Sequence, residues 1–285
     1  MSKRAKNKTR VQIVKVADSQ RKARQDYVVT EEPLEFRLVA GGERRTVAVT
    51  MRTPGNDFEL AAGFLFAEGI VGGRDEVARI TYCVDRDVSE EQRYNIVNIE
   101  LKTDKMPDLA TLERNFYTTS ACGLCGKASL DALERRDLCV LKSDIAVSAE
   151  LLSSLPQTLR KSQGLFDVTG GLHAAALFSL EGELIALRED VGRHNALDKL
   201  IGWALLENKL PLLNHILSLS GRASFELMQK ALAAQIALVC AVSAPSSLAV
   251  DLARRFNMTL VGFLRDGRFN IYAGETRVLD AEVKT

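Results

Sequence analysis

The sequence predicts an α/β protein in two parts, and three observations carry that reading. After about residue 148, apolar strand-like runs alternate with helical patterns, which implies a mostly parallel sheet with helices on both sides. Within it, Ile236 to Val242 is almost continuously apolar, as expected of a strand covered on both faces. Before it, a hairpin pattern, a single helix and further strands give a smaller α+β grammar, and 285 residues with 46% hydrophobic content suffice for two cores.

Residues 1–24 hold nine of the 38 basic residues and one of the 37 acidic ones, so the remainder carries a formal charge of −7. Val11 to Val16 alternates as a short strand does, yet its polar surroundings favour a solvated, disordered basic arm. An acidic body argues against a nucleic-acid-binding core. A first domain is expected over 25–140. There, Leu34–Val39 and Thr46–Met51 flank Gly41-Gly42 as a hairpin, Asn56 or Asp57 caps a helix to about Glu68, and Tyr94–Leu101 is a strand. Cys83 reads as a packed thiol in a strand.

The second domain is expected over 141–285. Ser148 opens a helix to about Lys161, and His173–Leu180 and Glu183–Leu187 are strands around Glu181-Gly182. Asp190–Leu206 is a helix, then Ile216–Leu219 a strand, Arg222–Ala234 a helix, Ile236–Val242 a strand and Ser246–Phe256 a helix. Thr259–Phe263 and Phe269–Tyr272 end the pattern as strands. Cys139 and Cys240 read as packing thiols and His215 as structural. No apolar run approaches the roughly 18 residues a membrane span requires and no leader is evident, so a cytoplasmic protein is expected.

Chemistry concentrates in Ser120-Ala-Cys-Gly-Leu-Cys-Gly-Lys127. Cys122 and Cys125 are each followed by glycine, which leaves the sulfurs unshielded, and Lys127 favours the reactive thiolate. Three uses are open: metal binding, disulfide exchange and sulfur transfer. A closed zinc site needs a second ligand pair that the sequence lacks, so no metal is expected. A persulfide carrier needs an accessible, low-pKa cysteine, and a neighbouring thiol can release its sulfur by forming a disulfide.

A ligand site is expected at the carboxyl ends of the second domain's strands, where helix N-termini present free amides. Ser220-Gly-Arg-Ala-Ser224 and Ser243-Ala-Pro-Ser-Ser247 each open a helix, and Phe263-Leu-Arg-Asp-Gly-Arg268 follows a strand. Gly221 and Ser224 let backbone approach an anion, and Arg222, Arg265 and Arg268 are suited to bidentate bonds with phosphate. Thr169-Gly-Gly-Leu-His173 is a fourth candidate, and Asp190 and His194 are spaced so that the carboxylate can orient the ring. Singly, a serine before a helix is usually just a cap and Gly-Arg after a strand usually just a hairpin turn. Their convergence on one sheet edge points to a phosphate-bearing ligand of nucleotide size.

Six ordered motifs then stand together: Ser120–Lys127, Thr169–Ala174, Glu189–Lys199, Ser220–Ser224, Ser243–Ala249 and Thr259–Phe263. Over about residues 30–275 the chain resembles the formate dehydrogenase accessory sulfurtransferases, the FdhD/NarQ family. The resemblance implies a cytidine-deaminase-like α/β/α C-terminal domain beside a smaller α+β domain, assembled as a homodimer. It implies a sulfurtransferase with a cysteine persulfide intermediate. A cysteine desulfurase would load Cys122, and the sulfur would pass to the bis(molybdopterin guanine dinucleotide) molybdenum cofactor before insertion into apo formate dehydrogenase. Cys125 matches the family's second cysteine. Phe263, Leu264, Arg265, Asp266, Gly267 and Arg268 match its cofactor-binding segment, where a GDP-like moiety would sit, with Gly221, Arg222, Ser224, His173 and His194 as further contacts. Two rival readings are a cofactor-binding chaperone without sulfur transfer and a zinc-dependent deaminase. The deaminase signature is missing, because the cysteine pair precedes every histidine and the later helix start, Ser243–Ser247, has no thiol.

Overall fold

A computed structural model describes residues 6–109 and 138–280; Cys122, Cys125 and Lys127 lie outside the described residues. From Lys8 onward the expected disordered arm is instead an ordered hairpin. Strands β1 (Lys8–Ala17) and β2 (Gln20–Val29) pair antiparallel in full register. The two-residue turn Asp18-Ser19 places both residues at positive φ, 49° and 63°, the backbone twist that a tight hairpin requires. Lys8 Nζ lies 5.0 Å from the centre of the Tyr27 ring, and Thr9 and Thr30 hydroxyls meet at 2.7 Å.

The next strands, β3 (Glu32–Ala40) and β4 (Glu43–Arg52), form the expected hairpin. Gly41 and Gly42 take φ of 55° and 80°, and a Cβ on Gly41 would stand 2.0 Å from the Asp104 carbonyl oxygen. Turn geometry and close approach therefore both require glycine there. Helix α1 (Asp57–Ala67), β5 (Val77–Tyr82), the short α2 (Glu90–Arg93) and β6 (Ile96–Leu101) follow. The sheet order is β4-β3-β6-β5, and its apolar face closes a core of Leu34, Phe36, Leu38, Val97 and Ile99 with Leu60 and Leu65 of α1. Cys83 is buried just after β5, where its sulfur accepts from the Asp85 amide at 3.5 Å.

The second half contains β7 (Val147–Ser148), α3 (Ala149–Ser162), α4 (Gly164–Thr169), β8 (His173–Phe178), β9 (Leu184–Asp190), α5 (Arg193–Leu206) and β10 (Ile216–Leu219). It continues with α6 (Phe225–Ala233), β11 (Leu238–Ala241), α7 (Ser247–Arg255), β12 (Thr259–Arg265), β13 (Arg268–Ala273) and β14 (Val278–Leu279). Six strands form one sheet in the order β13-β12-β11-β10-β8-β9. The expected mostly parallel sheet is corrected to a mixed one. Only β10, β11 and β12 run parallel, while β8, β9 and β13 join antiparallel. The physical reason is connection length: β8–β9 and β12–β13 are joined by short turns, which only antiparallel neighbours permit. Every residue of β10 and β11 is buried, so both faces are covered. Helices α5, α6 and α7 pack side by side, and α3 lies on β9, β10 and β12.

The two cores meet where α1 crosses α5. A Cβ on Gly63 would lie 1.9 Å from the Asp198 carbonyl oxygen, and one on Gly202 would lie 1.8 Å from that of Glu59. The helix backbones thus touch at a pair of glycines. Among the described residues no helix is long and apolar enough to cross a membrane.

Candidate functional site

Antiparallel pairing brings the start of β8 to the carboxyl end of β10, opposite the end of β9, with His173 facing Asp190 across the ladder. The loops after β10, β11 and β12 are then stitched into one rim. Ser220 accepts from the Ala174 amide at 2.8 Å through Oγ. Ser243 donates its amide to the Gly221 carbonyl at 3.3 Å, Ser246 to that of Ala223 at 3.0 Å, and Phe263 to that of Ser243 at 3.2 Å. The three junctions singled out in the sequence are therefore one continuous edge.

His173, Gly221, Ser224 and His194 come together on it. A Cβ on Gly221 would stand 3.2 Å from His173 Nδ1, so any larger residue there would press the ring aside by a few tenths of an ångström. Burial lowers the His173 pKa from its ordinary value, and the nearby Arg193 and His194 lower it further, so the ring is held neutral. His194 Nε2 lies 2.7 Å from Glu226 Oε2 and 3.4 Å from Ser224 Oγ. The hydrogen bond from His194 holds the Glu226 carboxyl below its ordinary range. Serine and carboxylate share the same ring nitrogen, which is not the relay of a serine hydrolase, where they occupy opposite nitrogens.

Phe263 sits at φ 53°, a left-handed conformation that a bulky residue adopts only where its surroundings impose it. Gly262, just before it, packs so closely that a Cβ would meet Pro245 and Tyr272, each at 2.9 Å. Leu264 is buried. Asp266 and Gly267, both at positive φ, make the β12–β13 turn, and Arg265 and Arg268 pair across it with both side chains exposed. These arginines stand on the turn, beyond the cluster that holds the histidines. Arg222 is exposed on the loop before α6.

Two expectations change. Asp190 does not orient His194: it ends β9, fully buried, and its carboxylate pairs with Lys199 Nζ at 2.7 Å. It also accepts from the amides of Thr53 and Gly192 and from Asn195 Nδ2. Lys199 in turn donates to the Thr53 carbonyl at 2.8 Å, and Asn195 to that of Met51 at 2.7 Å. Much of the Glu189–Lys199 motif thus clamps the end of β4 to α5. Cys139 is exposed rather than packed, whereas Cys240 is buried in β11, where burial raises its thiol pKa far above the ordinary value.

Two residues were missed in the sequence. Glu226, in the first turn of α6, is the partner of His194, and nothing in the sequence singles it out. Arg193 opens α5 beside His173, and its buried Nε has no hydrogen-bond partner among the described residues, which leaves a cation close to the ring. Only the motif Gly-Arg-His at a helix start could have signalled it.

Known proteins match nearly the whole chain. The FdhD/NarQ family model covers residues 29–279. A Streptomyces avermitilis protein described as sulfur carrier protein FdhD is 53% identical over 272 residues, 94% of this chain and 95% of that protein. A protein of Sulfurisphaera tokodaii with the same description is 43% identical over 270 residues, 95% of this chain and 98% of its own. The crystal structure described as a formate dehydrogenase accessory protein from Desulfotalea psychrophila shares the fold. Its TM-score is 0.73 at 24% identity, over 96% of this chain and 100% of that one. Matched from the root of β2 to β14 and at about half of all positions, the chain belongs to the FdhD/NarQ family.

Proposed function

We propose that this chain is a sulfur carrier for formate dehydrogenase maturation. The observation that carries the reading is its identity, 53% over nearly full length, with a protein described as a sulfur carrier. Cys122 is the carrier. Its thiolate attacks the terminal sulfur of a cysteine desulfurase persulfide, the donor's S–S bond breaks, the donor thiolate leaves, and Cys122 holds the new persulfide. Cys125 assists release: attack on Cys122 Sγ expels the terminal sulfur as hydrosulfide and leaves a disulfide for a cellular thiol to reduce.

The acceptor is the bis(molybdopterin guanine dinucleotide) cofactor, bound as substrate at the rim. The Gly221 backbone and the exposed Arg222, Arg265 and Arg268 suit its phosphates, with the positive charge of Arg193 behind them. Phe263, Leu264, Asp266 and Gly267 shape that edge, with Ser224, His173 and His194 at its other end. The mixed sheet with helices on both faces supports the cytidine-deaminase-like reading of this half. The protein works in the cytoplasm as a homodimer and delivers its product to apo formate dehydrogenase.

Incubation with a cysteine desulfurase and cysteine tests the loading step. Mass spectrometry is expected to find one added sulfur on the peptide containing Cys122, and none in Cys122→Ala. Equal loading of the variant, with full support of formate dehydrogenase activity, would favour a cofactor-binding chaperone in which the thiols are dispensable.

A further inference from the structure

The β1–β2 hairpin takes no part in the rim or the thiol chemistry described above. Nearly every side chain from Lys8 to Val29 is exposed or half-exposed. Two strands alone are only marginally stable in water. The hairpin nevertheless leaves Val14 and Val16 each 61% exposed, with Tyr27 at 42%. The register places these three and Ala23 on one face, flanked by Lys8, Arg10 and Arg21. Such a face, apolar along the middle and basic at its edges, matches a partner surface that is acidic and partly apolar. Its root is fixed: β2 touches α4, and a Cβ on Gly171 would stand 3.3 Å from Val29 Cγ1.

We infer that this hairpin is an arm that lies across the body of a second copy of the chain. The charge balance identifies the occupant. The first 24 residues are strongly basic and the rest of the chain carries a formal −7, so opposite net charges favour one copy's arm against another copy's body. The body also exposes an apolar pair, Val49 at 55% and Met51 at 48%, on edge strand β4. The size fits too. Ten-residue strands reach about 34 Å, and a two-stranded face is about 10 Å wide. Two arms exchanged about a two-fold axis therefore bury on the order of 1,400 Å² counting both sides, within the roughly 1,200–2,000 Å² of a stable interface. The inference rests on the homodimer reading and supplies its contact surface.

Sedimentation of the full-length protein tests it. The wild type is expected to be a dimer. A Val14→Asp/Val16→Asp variant should dissociate at least about tenfold more readily, equivalent to ~1.4 kcal/mol, with an unchanged circular dichroism spectrum. Arg10→Glu/Arg21→Glu should weaken the dimer likewise, and raising salt from about 0.1 M to about 0.5 M should weaken the wild type. A photo-crosslinking side chain in place of Val16 should join copies carrying different tags. A monomeric wild type overturns both the dimer and the arm. A dimer that both variants leave intact, or cross-links confined to one copy or formed to nucleic acid, overturns the arm alone.

Discussion

Lys199 and Asp190 show how a motif that reads as reactive serves the scaffold instead. Both are almost fully buried, and their 2.7 Å ion pair is completed by amides and carbonyls of the neighbouring half. Removing one partner strands a buried charge, so Lys199→Met is expected to cost about 3–5 kcal/mol, read from the urea midpoint. A loss within experimental error would contradict this role. The two half-buried histidines give a pH signature. Burial holds His173 and His215 below their ordinary 6.5, so the unfolded chain takes up these protons first as pH falls. Their contribution is fully present above about pH 6.5 and declines as pH drops through that value toward the folded pKa. Buried Asp198, raised chiefly by desolvation, opposes this on its own titration, so the variant rather than the raw slope is the readout. His173→Gln/His215→Gln should flatten the fall in stability between about pH 7 and about pH 5; an unchanged profile would contradict it.

Helices α1 and α5 hold the two cores together through Gly63 and Gly202. A methyl at either position meets backbone rather than a mobile side chain, so Gly202→Ala is expected to cost ~1–3 kcal/mol or more, visible as a lower melting temperature. No change would mean that the helices separate freely. This contact was invisible in the sequence, because an isolated helical glycine reads only as poor propensity. The β3–β4 hairpin was legible, since Gly41-Gly42 between alternating strands specifies its own turn. The β1–β2 hairpin was not, because Asp18-Ser19 is a weaker turn signal and the charge density around it resembles a solvated tail. The helix start expected at Asp190 begins instead at Arg193, since the carboxylate is drawn into the buried pair with Lys199. The rim was legible as three small-residue junctions at strand ends. The pairing of His194 with Glu226 was not, because it depends on how α5 and α6 pack.

At the scale of the molecule, the proposed function sets a thiol segment in the middle of the chain to work with a basic rim built from its last third. The exposed Arg265 and Arg268 contribute little to either core, so their substitution tests the proposed acceptor binding without disturbing folding. Arg265→Ala/Arg268→Ala is expected to load sulfur normally and to bind GDP severalfold more weakly in a calorimetric titration; unchanged affinity would move the acceptor site off this turn. The most direct measurement follows radiolabelled sulfur from a cysteine desulfurase, through the purified protein, to the molybdenum cofactor. The wild type is expected to take up the label and pass it on, Arg265→Ala/Arg268→Ala to take it up and retain it, and Cys122→Ala to take up none. Label reaching the cofactor through Cys122→Ala at the wild-type rate would contradict the central claim.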